Sequence, residues 1–565
     1  FLFIFLLCLL CLLCLLWPTL SIYRMKISGY LVDVPNRKIT PGIVHVHENR
    51  IERIEKSESV DGQYILPGFI DAHVHIESSM LVPSEFARLA VPHGTVATIS
   101  DPHEIGNVLG VDGVKYMINS GHKVNFKFFF GAPSCVPATV FETAGAKLTV
   151  QDIEVLFKDH DVKYLAEMMN WPGVLNKDEE VYTKLALAKK YKRKIDGHAP
   201  GLKGKEAQTY IDAGISTDHE CYSKEEAFDK LKCGMKVIIR EGSAAKNFDE
   251  LIDLMNTYSE HMMLCSDDKH PDNLVEGHIN VLVRRAIAIG IDLYKVLAAA
   301  CINPVEHYGL EVGLLKEGDF ADFIVVNNLK DFQVSKTYIN GHCVAEDGKP
   351  KIESVKNDII NNFNVSPKIV HDFQIPVAGS HAHVIEALNG QIITKIKVLA
   401  VKNESGHAIA DSENDMLKIT VVNRYEDCEP SVAFIKNFGL KEGAIASSVA
   451  HDSHNIIAVG VHDDSLCKAV NMLIEAKGGI CAVTPNMEKL LSLPVAGLMT
   501  TQDGYEVANS YTEIDKMAKD MGSKLDSPFM TLSFMALLVI PSLKLSDLGL
   551  FDGEQFTFNK LFVNK

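Results

Sequence analysis

From about Pro67 to Leu310, apolar runs of strand length alternate with longer stretches of helical periodicity. Such alternation argues for parallel strands joined by crossover helices. Eight runs follow one another: Phe69 to His75, Thr95 to Asp101, Lys127 to Gly131, Tyr164 to Glu167, Ile195 to His198, Ile215 to His219, Lys236 to Arg240 and Met263 to Asp267. Several close on a polar or ionisable residue, which is where a barrel of parallel strands carries its chemistry. The pattern predicts an α/β chain built on a (β/α)8 barrel over residues 67–310.

The flanks read differently. Between Lys26 and Leu66 short β-rich segments alternate with turn signals, and the same texture returns after Gly318 in DFADFIVVNN and VSKTYINGHCV. The two ends are therefore expected to complete one small β-sandwich from residues 25–66 and 311–350. Residues 367–565 carry their own strands and helices, as expected of a separate α+β C-terminal domain, and 565 residues are too many for a single core.

Phe1 to Trp17 is an unbroken apolar run with a Cys-Leu-Leu repeat, bordering on membrane-spanning length. It has neither the basic start nor the small-residue cleavage site of a signal peptide. Met25 opens a plausible coding start at the first strand, so residues 1–24 are expected to lie outside the working enzyme, with a genuine membrane anchor as the alternative. Nine cysteines beyond this run have no framework spacing, which fits reduced thiols and a cytoplasmic protein. A net charge of −17 without a basic stretch to offset it argues against nucleic acid as a partner.

Within the barrel region, His73 and His75 lie two apart on one strand, so both imidazoles leave the same face. Glu167, His198, His219 and Asp267 each close a later run. Four imidazoles and two carboxylates suit a pair of divalent ions bridged by one carboxylate, and such ligands admit manganese, iron(II) and zinc alike. Glu77, His103, Glu104 and Glu220 follow strand ends and could place a charge or a proton near a substrate ring. Arg240, Glu241 and Ser243 after the seventh run are candidate substrate contacts, with a loop-shaping ion pair as the even alternative. His381 and His383 read as exposed linker. His451, Asp452 and His454 cluster before an apolar strand, either as a second metal site or barrel-mouth contact, or as hydrogen-bonding residues of a turn.

The string PGFIDAHVH, single histidines on the fifth and sixth strands, an aspartate on the eighth and the trailing GLLKEGDFADFIVV resemble the amidohydrolase superfamily. HIESSM, DPHEIGNVLG, AEMMNWPGV, DGHAPGLKGK, SDDKHPDNLVEGHI, HDSHNIIAVG and LPVAGLMT narrow the resemblance to its adenine deaminase family, over nearly the whole chain after Met25. The resemblance implies a TIM-like amidohydrolase barrel with two ions, manganese or iron in the active form. His73, His75, Glu167, His198, His219 and Asp267 would be the ligands and Asp267 the proton carrier, with Glu220 and Glu104 the next candidates for proton transfer. It further implies a purine base as substrate and pairing into a homodimer. The alternatives are an amidohydrolase acting on a cyclic amide or N-acyl group, and a non-catalytic scaffold, which the full ligand set disfavours.

Overall fold

The computed structural model describes residues 24–159 and 162–563, so the apolar run Phe1 to Trp17 lies outside the described residues. Five parallel strands form one sheet in chain order: β1 (Phe69–Val74), β2 (Thr95–Ser100), β3 (Lys127–Ala132), β4 (Tyr164–Met168) and β5 (Lys194–Gly197). Three more form a second: β6 (Thr217–Asp218), β7 (Lys236–Arg240) and β8 (Met262–Cys265). The sheets curl toward each other. Ser216 N donates to Ile195 O at 2.9 Å on one side, and Val74 bridges Asp267 in parallel on the other.

Every residue of β1, β2, β4 and β8 is buried, as expected of parallel strands covered by helices on one side and packed inward on the other. β1 and β8 are further stitched by Asp71, whose carboxylate accepts from Ser266 N at 2.9 Å and lies 2.8 Å from His278 Nε2. Gly131 permits β3 to approach β4. A Cβ there would fall 2.7 Å from the Tyr164 ring.

The flanking strands join in one eight-stranded sheet that draws Arg24–Asp33, Lys38–His47, Arg50–Lys56 and Tyr64–Pro67 from one end and Phe323–Val326 through Lys349–Pro350 from the other. The pairing of both ends is as expected. Phe323–Val326 pairs directly with Tyr64–Pro67, so the strands of both flanks run as one hydrogen-bonded path, with Leu31, Val46, Ile51, Phe323 and Val325 in a shared apolar cluster.

Residues after 375 build a nine-stranded mixed sheet around β9 (Met416–Val422), β10 (Ala444–Ser447) and β11 (Ile456–Gly460). One face is covered by the helix Asp463–Ala476, while Leu417, Ile419, Ile435 and Ile457 on the other belong to the apolar cluster that also holds the barrel strands. His381 and His383 are a correction to the linker reading: they lie on the strand His381–Ala387, paired on both sides, and His383 Nδ1 is 2.6 Å from Lys560 O. Among the described residues no helix is long and apolar enough to cross a membrane, and the nine described cysteines are free.

Candidate metal centre and active site

The period of two on β1 works as expected. The Nε2 atoms of His73 and His75 converge to 3.1 Å, both rings buried. Asp101 O lies 3.2 Å from His75 Nδ1, so that nitrogen carries the proton and Nε2 presents a lone pair. Burial, reinforced by neighbouring His219 and His75, holds His73 well below the usual imidazole value and hence neutral. Asp267 follows β8 with φ of 53°, a left-handed conformation that aspartate tolerates better than most residues, and its N–H is bonded to His73 O at 3.0 Å. The turn aims Asp267 Oδ1 at the pair, 3.7 Å from His73 Nε2 and 3.3 Å from His75 Nε2.

Glu167 spans two ligand sets. Its Oε1 lies 3.5 Å from His75 Nε2, and its Oε2 lies 2.8 Å from His198 Nδ1 and 3.3 Å from His219 Nε2. Four ligands around an ion at metal–nitrogen distances of 2.0–2.1 Å would stand about 3.4 Å apart, so these spacings suit a divalent cation on each side of the carboxylate. Several triads here, among them His73, His75 and Asp267, could hold an ion. The donor set of imidazoles and carboxylates fits a divalent metal.

Arg240 lines the same cavity as the ligand residues, and its Nη1 donates to Asp267 Oδ2 at 2.8 Å and also pairs with Glu220. Burial disfavours the charge on Glu220, but Arg240 outweighs it and draws the carboxyl down to about 2. Burial likewise opposes ionisation of Asp267, and the same guanidinium holds it well below the usual range. Both are therefore carboxylates in this arrangement.

His103 stands among the ligands, its Nδ1 3.4 Å from Glu167 Oε1 and 3.3 Å from Asp101 Oδ1. Glu104 opens the helix α1 (His103–Gly121) and is clasped by His451 and His454, reaching across from the segment between β10 and β11. Burial would raise Glu104, yet His451, His454 and His103 keep it well below the usual carboxylate range. Glu77 lies behind this helix start, accepting from Ile105 N at 3.2 Å, and burial lifts its carboxyl to about 7. Glu241 and Ser243 are directed away from the ligands. Glu241 pairs with Arg285 at 2.7 Å, and Ser243 donates to Asn273 Oδ1 at 2.7 Å while accepting from His270 N.

One cavity joins these groups, and part of its wall comes from the C-terminal region through Ile392, His451, Asp452, Phe534 and Leu537. The sequence reading did not single out Asp101, Asp268, Phe534 or Leu537. Asp101 and Asp268 could have been found, since each directly adjoins a chosen residue or strand end. Phe534 and Leu537 carry no such signal in an ordinary apolar string.

Comparison with known proteins agrees with this construction. The Amidohydrolase family matches residues 64–344, and the Adenine deaminase C-terminal domain matches residues 391–557. A protein named adenine deaminase from Salinibacter ruber (strain DSM 13855 / M31) is 54% identical over 540 residues, 95% of this chain and 99% of its own length. One of the same name from Sulfurovum sp. (strain NBC37-1) is 56% identical over 535 residues, 94% of this chain and 99% of its own. Another from Methanosarcina mazei is 50% identical over 555 residues, 96% of this chain and 100% of its own. With a bridged histidine and carboxylate centre at the strand ends and full-length likeness to these relatives, the chain belongs to the adenine deaminase family of amidohydrolases.

Proposed function

We propose that the chain hydrolyses adenine to hypoxanthine and ammonia, in the cytoplasm, at the mouth of a (β/α)8 barrel spanning residues 67–310. Residues 25–66 and 311–350 form its β flank, and residues 367–565 a C-terminal domain that closes part of the cavity. The observation that carries this reading is the near-complete match, at about half of all positions, to relatives named for this activity.

His73, His75 and Asp267 would hold one divalent ion and His198 and His219 a second, with Glu167 between them. When bound, such a pair lowers the pKa of water and supplies a nucleophile at neutral pH. The chain's own groups do the rest. Arg240 fixes Asp267 through Oδ2, which leaves Oδ1 turned toward the ligand histidines, where it would both join the ligand set and accept a proton from the attacking water. Passing that proton to the exocyclic nitrogen lets the amine depart as ammonia, the step that an aromatic amine otherwise resists. Buried imidazoles and carboxylates around the cavity exclude bulk water and strengthen each of these interactions.

A substrate screen tests the proposal. Adenine should yield hypoxanthine and ammonia in equal amounts, while cyclic amides and N-acyl amino acids should be inert. Hydrolysis of one of those amides with adenine untouched would replace this reading by the other amidohydrolase chemistry.

A further inference from the structure

Glu104, His451 and His454 bring three ligand-type groups together outside the centre described above. Hydrogen bonding argues against an ion there. Ala450 N donates to His454 Nδ1 at 3.1 Å, so the proton of this imidazole, kept neutral by burial, sits on Nε2 and faces Glu104 as a donor rather than a ligand. The cluster is a clamp that fixes one carboxylate and, through it, the ring of His451.

That ring has little freedom. Glu104 holds its Nδ1, and Phe534 stacks on its face with centroids 5.2 Å apart at 29°. Its Nε2 is buried, has no hydrogen-bond partner, and belongs to the wall of the cavity that His75, Glu167 and Asp267 also line. Asp268 Oδ1, which accepts from Ser78 Oγ at 2.5 Å, lies 3.8 Å from this nitrogen, so each ring nitrogen faces a carboxylate and the surroundings favour a proton on both.

We infer that His451, supplied by the C-terminal region, is a substrate-binding residue whose Nε2–H donates to an unprotonated ring nitrogen of the purine. The inference rests on the adenine deaminase reading and adds to it a group from outside the barrel. Attack at C6 drives electron density onto the ring nitrogens, and a fixed donor at one of them is worth more in that state than in the ground state. A hydrogen bond from a charged donor of this kind corresponds to about 10- to 100-fold in affinity.

The test uses the full chain with metal bound and compares wild type with His451→Asn, whose shorter amide can still reach Glu104 but lacks the Nε2 edge. Inhibition constants are measured against adenine for 6-methylpurine and its 1-deaza, 3-deaza and 7-deaza counterparts. One deaza compound should bind wild type about 10- to 100-fold more weakly than 6-methylpurine. The same compound should lose nothing further in His451→Asn, whereas the other three lose that factor. His451→Gln, which restores an N–H near the Nε2 position, should recover part of it, and serves in the same series if the Asn variant does not fold. Equal losses for all four compounds, or none, would overturn the inference while leaving the deaminase reading intact. Failure of wild type to release ammonia from adenine would instead remove the reading beneath it.

Discussion

His75 on the barrel side and His451 of the 450–455 segment line one cavity, but they and their neighbours are held in place by different means. His73 and His75 owe their convergence to the backbone: a period of two on β1, continued by a main-chain bond to Asp267 across the seam with β8. His451 and His454 owe theirs to a side chain 347 and 350 residues away, Glu104, which stands at the start of α1 because β2 ends at Ser100. The first arrangement is held by bonds within the barrel region itself. The second exists only while β9 to β11 rest on the barrel.

Substitutions should separate the two. The largest effect is expected for Glu167→Ala, which removes the carboxylate shared by both ligand sets. Turnover should fall by more than the ~10⁴-fold upper range of a lost proton-transfer group, with metal content reduced by elemental analysis. Asp267→Asn keeps shape but removes the basic oxygen, so kcat for adenine should drop about 10²- to 10⁴-fold while the ions stay bound. Retained ions with near-normal kcat would pass the proton to Glu104 or Glu220.

The clamp should show itself through pH. Burial works against a charge on His451, but Glu104 and Asp268 outweigh it and raise the imidazole to about 9. Its folded value lies above the ~6.5 of an unfolded chain, so its stabilising contribution is complete below that value and lost as pH rises through about 9. The gap in thermal unfolding between wild type and His451→Asn should therefore be widest at and below about pH 6.5 and close as pH rises through about 9. A gap independent of pH would mean that the ring matters only through packing on Phe534.

Glu241→Gln should have the smallest effect. Its partner Arg285 is about a third exposed, so the pair is worth about 0–1 kcal/mol, read as a minor shift in urea midpoint. A rise in KM for adenine would return Glu241 to the substrate.

The same contrast explains what could be read in the sequence. A strand lies within each of the eight runs, although the sixth is only Thr217–Asp218 and His75, His198, His219 and Asp267 fall just past their strand ends. The six ligand-type residues came with them. The flank sheet was legible as pairing between both ends but not as one continuous path, since its register depends on which edge Phe323–Val326 meets. His381 and His383 looked like linker because the apolar alternation of HAHVIEA is short and breaks at Val384–Ile385, although those two residues, Ala382 and Ala387 are buried. The direction of Arg240 was open for another reason: an arginine after a strand serves a substrate or a neighbouring carboxylate with equal ease, and only the placement of Glu220 and Asp267 decides. His451 was noticed as part of a cluster. Its partner was hidden by the distance along the chain.

The central claim is that the bridged centre makes this chain a metal-dependent adenine deaminase. It is tested most directly by ammonia release from adenine, measured on protein stripped of metal and titrated separately with manganese, iron(II) and zinc. Activity should be absent from the stripped protein and should rise to a plateau at about two ions per chain, the number implied by a carboxylate bridging two sites. Adenine turnover that survives complete removal of metal would contradict the account.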